Sequence, residues 1–172
     1  ARQAAMQAGL PQEIPASIAS VVCGSGLKSI AMGMQAISCG DSEIVIAGGQ
    51  ENMSLAKHAS YIRSGIKMGD NQLVDMMTID GLTDAYSNAL MGITAENIAK
   101  QFNITREMQD EFAYNSQQKA AKAQQENKFK DEIIPVTAKI KRQEIIVNQD
   151  EFIKPDITMA SLAKLRPAFD KE

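Results

Sequence analysis

The residues best suited to chemistry form one short stretch, Cys23-Gly24-Ser25-Gly26. The preceding residues 17–22 are small and β-branched and predict a buried strand, whereas residues 27–37 predict a helix. A cysteine at a helix N-terminus faces the positive end of the helix dipole, which favours the nucleophilic thiolate. Gly24 and Gly26 leave room for a substrate carbonyl to approach backbone N–H groups, which can stabilise an oxyanion. The pattern indicates a nucleophile at Cys23.

Two other interpretations of this stretch stay open. A cysteine in a protein interior is commonly inert packing. A glycine-rich turn before a helix can also bind phosphate, although neither Gly-x-Gly-x-x-Gly nor a following Gly-Lys-Ser/Thr occurs here. Cys39 lies at the predicted end of the same helix, where the dipole disfavours a thiolate, and we interpret it as packing.

His58 and Glu51 are the other candidates for proton transfer. His58 is the single histidine, so a Cys–His pair within these residues would need it, but its irregular surroundings indicate a surface or interface residue. Glu51 follows two glycines and either acts as a base or accepts hydrogen bonds from loop amides. The two cysteines lack the paired spacing of a zinc site, so no metal is expected.

A β-α-β unit would position Cys23. A predicted strand at 17–22, a helix over 27–37 that ends before Gly40, and a second strand at 43–47 imply parallel strands. Their connection should be a right-handed crossover. We therefore expect Cys23 to lie where the first strand passes into the helix.

The remaining predicted elements are shorter or come later in the chain. In order, they are a helix over 1–8 that ends at Gly9, a short helix at 72–77, a helix capped by Thr94 that ends near residue 102, a helix capped by Thr105 over 106 to about 126, strands at 133–136, 139–140 and 144–147, and a helix at 159–165. The Thr105 helix is amphipathic, with a shared face formed by Met108, Phe112, Ser116, Ala120 and Ala123.

Composition excludes several classes of protein. The 172 residues are 44% apolar and 23% charged with a net charge of −3, which fits a globular protein of one or two domains. The sequence lacks both a concentrated basic face for nucleic acid and an apolar run of roughly 20 residues for a membrane span. Two cysteines make no disulfide framework, so a reducing cytoplasm is expected.

Length and chain ends add two expectations. A chain of this length can bury roughly two-thirds of the surface that its unfolded form exposes. The first residues read as an uncapped helix, and the last residues lead to no further element. We therefore expect a fragment of a longer chain.

The sequence resembles the thiolases, the acetyl-CoA acetyltransferase family, at five landmarks in collinear order. They are Val22-Cys23-Gly24-Ser25-Gly26-Leu27-Lys28, Gly48-Gly49-Gln50-Glu51-Asn52-Met53-Ser54, Met91-Gly92-Ile93-Thr94-Ala95-Glu96-Asn97, the helix over 106–120, and Leu165-Arg166-Pro167-Ala168-Phe169. Together they cover essentially the whole chain and are very specific.

The resemblance implies a fold and a set of site residues. The fold would be α/β, with residues 1–53 in the N-terminal core domain, a mixed sheet between helices, and residues 54–172 in an inserted α+β loop domain that holds coenzyme A. Leu82, Met91 and Ser161 would line the coenzyme A site. Lys154 stands where a phosphate-binding arginine is usual, which keeps the charge but loses bidentate geometry.

The resemblance also implies a reaction. Cys23 would take an acyl group from a coenzyme A thioester, and a second acetyl-CoA would lose an α-proton and attack it to give a 3-oxoacyl-CoA, with thiolysis as the reverse. Coenzyme A thioesters would be substrates, with no permanently bound cofactor, and the intact protein would be a homodimer or homotetramer. The family's Gly-His-Pro, Asn-Glu-Ala and Cys-x-Gly motifs are not in this sequence, so these residues alone should turn over little or no substrate.

Two other functions are alternatives to this one. A non-catalytic acyl-CoA-binding module would keep the fold without the chemistry. A decarboxylating ketoacyl synthase is disfavoured by the Met91–Asn97 stretch, because those enzymes lack a comparable insertion that binds coenzyme A. Leu90 stands where biosynthetic-type thiolases often carry histidine, which leaves the acyl preference open.

Overall fold

The computed structural model describes residues 1–171, which form two compact units of mixed helix and strand. The first unit spans Ala1–Thr83 and the second begins at Asp84.

The first unit is built from two helices, two short helical turns and a small sheet. Its elements are α1 (Arg2–Gln7), α2 (Ser25–Ser38), a 3₁₀ turn (Met53–Leu55), β1 (His58–Ala59), β2 (Val74–Asp75) and a π-helical turn (Met77–Leu82). Gly9 and Gly40 follow the two helices with φ of 82° and 80°. These left-handed conformations confirm both glycines as helix ends.

The predicted β-α-β unit is only partly confirmed. Helix α2 forms as expected, but residues 17–22 and 43–47 form no ladder with each other in the part of the chain that the structure describes. The single sheet of this unit pairs β1 with β2 antiparallel, His58 opposite Asp75. A strand exists only with a hydrogen-bonded neighbour, so an apolar run identifies a candidate strand without supplying its partner.

Helix α2 instead packs directly on the segment that was predicted as the second strand. Gly33 is the buried residue of α2, and a β-carbon added there would lie 3.0 Å from Val45 Cγ1 and 3.7 Å from Ala47 Cβ. The absence of a side chain at Gly33 thus allows close approach. The contact sets the path of the chain that leads to Gly48 and Gly49.

The second unit contains three helices and a hairpin. They are α3 (Met91–Phe102), α4 (Arg106–Gln125), β3 (Val136–Ile140), β4 (Gln143–Val147) and α5 (Met159–Ala163). Strands β3 and β4 pair antiparallel from Val136 opposite Val147 to Ile140 opposite Gln143. The connecting residues, Lys141 and Arg142, both have positive φ, 47° and 71°, as a two-residue type I′ hairpin turn requires.

Several predicted boundaries were right and others wrong. Thr105 caps α4, because its hydroxyl accepts the N–H of Met108 at 3.3 Å. Thr94 does not cap α3, which starts three residues earlier at Met91. The predicted helix at 72–77 is wrong, since β2 lies there and the Asp75 carboxylate accepts the N–H of Met77, where the helical turn begins.

Burial is far lower than the length allows. The chain exposes 15599 Å², whereas a compact domain of its mass would expose about 8,300 Å². Ala121 and Leu162 are the buried apolar residues of the described chain, while Ile18, Ile44 and Ile46 are 80–86% exposed. The expected two-thirds burial is wrong for these residues by themselves, because large apolar side chains such as these stay exposed.

Candidate active site and ligand-binding residues

Cys23 lies immediately before helix α2, in a tight turn. Its thiol is free and exposed. The turn is closed by the N–H of Gly24, which donates to the carbonyl of Val21 at 3.0 Å, and α2 begins as the N–H of Lys28 donates to the carbonyl of Gly24 at 2.9 Å. The predicted placement of Cys23 at the start of a helix is confirmed.

The first turn of α2 leaves donors available beside Cys23. Within residues 1–171, the N–H groups of Gly26 and Leu27 have no hydrogen-bond acceptor. A β-carbon built on Gly26 would meet no atom within 4 Å, so the space over this residue is open. Free N–H groups at the positive end of a 14-residue helix suit a developing negative charge.

The hydroxyl of Ser25 forms two hydrogen bonds within this turn. The oxygen accepts the N–H of Val21 at 2.9 Å and donates to the carbonyl of Val22 at 2.7 Å. Val22 between them has φ of 49°, in the left-handed region. A β-branched residue rarely adopts this conformation, so the residue before Cys23 is strained.

The structure brings the Gly48-Gly49 segment to the nucleophile turn. The Ser29 hydroxyl lies 2.7 Å from the carbonyl oxygen of Gly26 and 3.0 Å from that of Gly48, and shares its single proton between them. A β-carbon on Gly49 would lie 3.7 Å from Gly26 Cα. Two sequence motifs 25 residues apart therefore meet at the start of α2.

The other candidates of the first unit lie outside this turn. Glu51 accepts the N–H of its neighbour Asn52 at 2.8 Å, as the loop-amide interpretation requires. His58 is exposed on β1. Cys39 is exposed at the C-cap of α2, so its interpretation as packing is wrong. Leu82 ends the π-helical turn with 43% of its surface exposed.

The carboxyl of Asp75 stabilises the turn that carries Leu82. It accepts the hydroxyl of Thr78 at 2.8 Å and the N–H of Met77 at 3.0 Å. The Thr78 hydrogen bond is the largest influence that holds the pKa of Asp75 below its ordinary value, with the Met77 bond acting in the same direction. The charge thus helps to fix where the helical turn begins.

In the second unit, α4 holds the segment that contains Lys154. Gln117 Oε1 accepts the backbone N–H of Lys154 at 2.8 Å, and Gln118 Nε2 donates to the carbonyl of Pro155 at 3.2 Å. The Lys154 ammonium stays exposed. Its backbone is thus fixed while its charge remains available to a ligand.

Ser161 belongs to the cap of α5. Its hydroxyl accepts the N–H of Thr158 at 3.0 Å and donates to the carbonyl of Thr158 at 2.7 Å, and Thr158 returns the interaction to the N–H of Ser161. This capping box commits the hydroxyl proton of Ser161. Ser161 can therefore offer a ligand its remaining lone pair and its shape, but not a proton.

Arg106 joins α4 to the end of α5. One guanidinium nitrogen donates to the carbonyls of Leu162 and Leu165, each at 2.9 Å, while Nε donates to Asp110 at 2.8 Å. The planar guanidinium makes these bonds in directions that lysine cannot reproduce. Arg106 thus holds the short helix on which Ser161 lies.

Met91 begins α3 and is 42% exposed. The next residue, Gly92, contacts the ring of Phe169, and a β-carbon added to Gly92 would lie less than 3.0 Å from Phe169 Cε2 and Cζ, which is too close for two carbon atoms. Lys100 of the same helix forms an ion pair with Asp170 at 2.5 Å. The segment that follows α5 is thereby held against α3, beside Met91.

An open groove of about 660 Å³ runs between α4 and residues 150–153. Its lining includes Ser116, Ala120, Ala123, Phe129 and Phe152. Ser116, Ala120 and Ala123 belong to the shared face of α4 that the sequence pattern predicted. Within the described residues this face borders a groove and not a filled core.

Comparison with known proteins decides the family. The family model described as "Thiolase, N-terminal domain" matches residues 1–172. The chain belongs to the thiolase family.

Curated relatives agree with this assignment. The chain is 54% identical to the acetyl-CoA acetyltransferase of Rhizobium meliloti and 52% identical to that of Shinella zoogloeoides, in each case over 172 residues. It is 49% identical to the probable acetyl-CoA acyltransferase of Staphylococcus aureus over 174 residues. Each alignment covers 100% of this chain and 44% of the relative. The chain thus spans less than half the length of these relatives.

In this thiolase chain the groups at Cys23 lie together in one turn, whereas the residues expected to bind coenzyme A are separate from one another. The turn at Cys23 combines an exposed thiol with free N–H groups, which suits attack on a carbonyl. No hydrogen bond or ion pair joins Met91, Lys154 and Ser161 to one another among residues 1–171. No group of three or more potential metal-ligating side chains occurs in the described residues, nor does a helix long and apolar enough to cross a membrane.

The residues that hold these groups in place were not among the candidates predicted from the sequence. Ser25, Arg106 and Gln117 act through hydrogen bonds to the main chain. The bond from Gln117 joins residues 37 apart and that from Arg106 to Leu162 joins residues 56 apart. Only Ser25 had a local signal, its place two residues after the cysteine.

Proposed function

We propose that this chain supplies the nucleophile of an acetyl-CoA C-acetyltransferase, which forms or cleaves 3-oxoacyl-CoA. The observation that carries the proposal is the exposed thiol of Cys23 beside the free N–H groups at the start of α2. Membership of the thiolase family and similarity to proteins named acetyl-CoA acetyltransferase support it. A nucleophile of this kind divides a difficult acyl transfer into two easier steps.

In the first step, the Cys23 thiolate attacks the carbonyl carbon of acetyl-CoA. The carbon–sulfur bond to coenzyme A breaks, its thiolate leaves and takes up a proton, and the acetyl group stays on Cys23. The N–H groups of Gly26 and Leu27 are available to negative charge that develops at this end of the helix. In the second step, a second acetyl-CoA loses an α-proton, and its carbanion attacks the carbonyl carbon of the acetyl-cysteine. The bond between that carbon and the Cys23 sulfur breaks, which releases acetoacetyl-CoA and regenerates the Cys23 thiolate.

Both steps need proton-transfer groups. His58 is the single histidine of the sequence and lies on β1, whereas the hydrogen bonds at the nucleophile turn involve Ser25 and Ser29. The carboxylate of Glu51 accepts a loop amide, and the thiolase motifs Gly-His-Pro and Cys-x-Gly do not occur in this sequence. By the family resemblance we therefore assign the bases to polypeptide outside these 172 residues. The chain by itself should accept acyl groups poorly and should not complete a condensation.

We further propose that residues 1–53 form part of a core domain and residues 54–172 an inserted domain that binds coenzyme A. Leu82 and Met91 would contact the thioester-bearing arm through their exposed apolar surfaces, and Ser161 would do so through its shape. Lys154 would pair with a phosphate, because its ammonium is exposed and its backbone is fixed by Gln117. The intact protein is proposed to be a cytoplasmic homo-oligomer of lipid metabolism.

Isotope exchange tests the proposed reaction in the intact protein that carries this sequence. The protein is mixed with acetyl-CoA and labelled coenzyme A without a second acyl acceptor, and label entering acetyl-CoA is followed. An acyl-cysteine predicts exchange that is abolished by Cys23→Ser and retained in the matched variant Cys39→Ser. Tight binding of acetyl-CoA without exchange would instead identify a non-catalytic acyl-CoA-binding module.

The Lys154 assignment has its own test. Replacement by methionine keeps the apolar stem and removes the charge, and should raise the KM for acetyl-CoA about tenfold with little change in kcat. Lys154→Arg should retain a KM near that of the parent. An unchanged KM in Lys154→Met would remove this residue from the proposed site without affecting the role of Cys23.

A further inference from the structure

The turn that presents Cys23 contains a residue in an unfavourable conformation. Val22 has φ of 49° and follows Val21, whose carbonyl accepts the N–H of Gly24 at 3.0 Å. Val22 therefore occupies the first central position of a tight turn with positive φ, which glycine, asparagine or aspartate usually fills. A β-branched residue stays there only when its surroundings hold it.

Ser25 supplies contacts that hold it. The serine hydroxyl accepts the N–H of Val21 at 2.9 Å and donates to the carbonyl of Val22 at 2.7 Å. The backbone N–H of Ser25 donates to the same carbonyl at 3.1 Å. These groups lie on both sides of Val22, so a change in its backbone angles would break one or more of these bonds.

The hydroxyl of Ser25 serves the turn and not the helix. Serine near a helix start commonly accepts an N–H of the first helical turn. Here the N-cap is Gly24, no side chain caps α2, and the Ser25 hydroxyl points back to Val21 and Val22. Its removal would therefore loosen the residues before Cys23 more than the helix after it.

We propose that Ser25 is a positioning residue, which holds the strained turn at Val22 and thereby fixes the thiol of Cys23 at the start of α2. The proposal rests on the proposed function, because it assigns Ser25 a role in the reaction of Cys23. Ser25 acts through the backbone of Val21 and Val22, to which its hydroxyl is hydrogen-bonded.

A coupled set of variants in the intact protein tests this role. They are Ser25→Ala, Ser25→Thr, Val22→Gly and the double variant, with Ser38→Ala as the matched serine control on the same helix. Each is measured for kcat, for KM in acetyl-CoA, and for the alkylation rate of Cys23 by iodoacetamide, read from the mass of its peptide. Thermal unfolding shows whether each variant is folded.

A positioning role predicts a specific pattern. Ser25→Ala lowers kcat and the alkylation rate about tenfold and changes KM less than about twofold, because misplacement by a fraction of an ångström slows the chemical step. Ser25→Thr keeps the hydroxyl and stays near the parent. In the Val22→Gly background, loss of the hydroxyl lowers kcat less than about threefold, since glycine adopts positive φ without support.

Three results would overturn the proposal. They are an unchanged kcat in Ser25→Ala, a loss in Ser25→Thr as large as in Ser25→Ala, and the same loss with valine or glycine at position 22. If Ser25→Ala does not fold, the double variant decides: folding with activity near that of Val22→Gly supports the proposal, and failure to fold overturns it. An active Cys23→Ser variant would instead refute the proposed function.

Discussion

The contact between Gly92 and Phe169 predicts that Gly92→Ala destabilises the protein when the Phe169 ring is present and stabilises it when the ring is absent. Gly92 is the second residue of α3, and its φ is not in the positive region, so alanine fits the backbone there. The obstacle is the Phe169 ring, whose Cε2 and Cζ atoms lie less than 3.0 Å from the position that a β-carbon would take. Gly92→Ala must therefore displace the ring, which is 47% exposed.

The magnitude follows from two opposing terms. Alanine in place of glycine favours a helix by up to about 1 kcal/mol. Full burial of a phenylalanine is worth about 1.5–3 kcal/mol, so displacing a half-buried ring should cost about 1–1.5 kcal/mol. The exposed ion pair between Lys100 and Asp170 adds about 0–1 kcal/mol if it is lost with the ring. Gly92→Ala should destabilise the protein by about 0.5–1 kcal/mol.

The reversal appears once the ring is removed. In a Phe169→Ala background, Gly92→Ala should stabilise the protein by about 0.5–1 kcal/mol, because only the helix preference remains. The four proteins are compared by chemical denaturation of the intact protein. Gly81→Ala is the control, since a β-carbon there meets no atom within 4 Å. Additive effects, with a coupling below about 0.3 kcal/mol, would refute the contact.

Three further predictions concern the helices and loops of the second unit. Arg106→Ala should lower the free energy of unfolding by about 2 kcal/mol, through two lost bonds to carbonyls, and Arg106→Lys should recover less than half. Thr105→Ala should cost about 1 kcal/mol and Thr105→Ser almost nothing, since serine also caps α4. Hydrogen bonds from the Ser87 hydroxyl and N–H hold the pKa of Asp84 below its ordinary value. The ionised carboxylate therefore stabilises the folded protein at pH values above the usual aspartate pKa, and this stabilisation is lost as the pH falls through the lowered pKa. Asp84→Asn should reduce the loss of stability below about pH 4.

The free energy of unfolding of each variant, measured by chemical denaturation at several pH values, checks all three. Equal stability of Arg106→Lys and the parent would show that the positive charge alone is sufficient. A Thr105→Ala variant as stable as Thr105→Ser would remove the cap from the account of α4. If Asp84→Asn loses as much stability at acid pH as the parent does, this carboxyl has the same pKa in the folded and unfolded chain.

Features set by local chemistry could be predicted from the sequence. Gly9 and Gly40 ended helices as expected, because only the residue itself must adopt positive φ. Thr105 capped α4 through a bond to a residue three positions away. Cys23 lay at the start of α2 because a strand-like run, a glycine-rich turn and a helical period are all local signals.

Features that need a distant partner could not be predicted. Residues 17–22 and 43–47 have the composition of strands, but composition does not say which segment pairs with them. The bonds from Gln117 to Lys154 and from Arg106 to Leu162 join distant residues with no periodic pattern between them. At the site itself, Val22 is strained because its φ is positive. A β-branched residue disfavours such a φ, so valine at this position gives no reason to expect a strained residue there.

Mass spectrometry of the acylated protein tests the central claim most directly. The intact protein that carries this sequence is exposed briefly to acetyl-CoA, quenched in acid and digested, and the two cysteine peptides are compared. The account predicts a mass increase of about 42 Da, one acetyl group, on the Cys23 peptide and none on the Cys39 peptide. An acetyl group on Cys39, or an unmodified Cys23 in a protein that makes acetoacetyl-CoA, would contradict it.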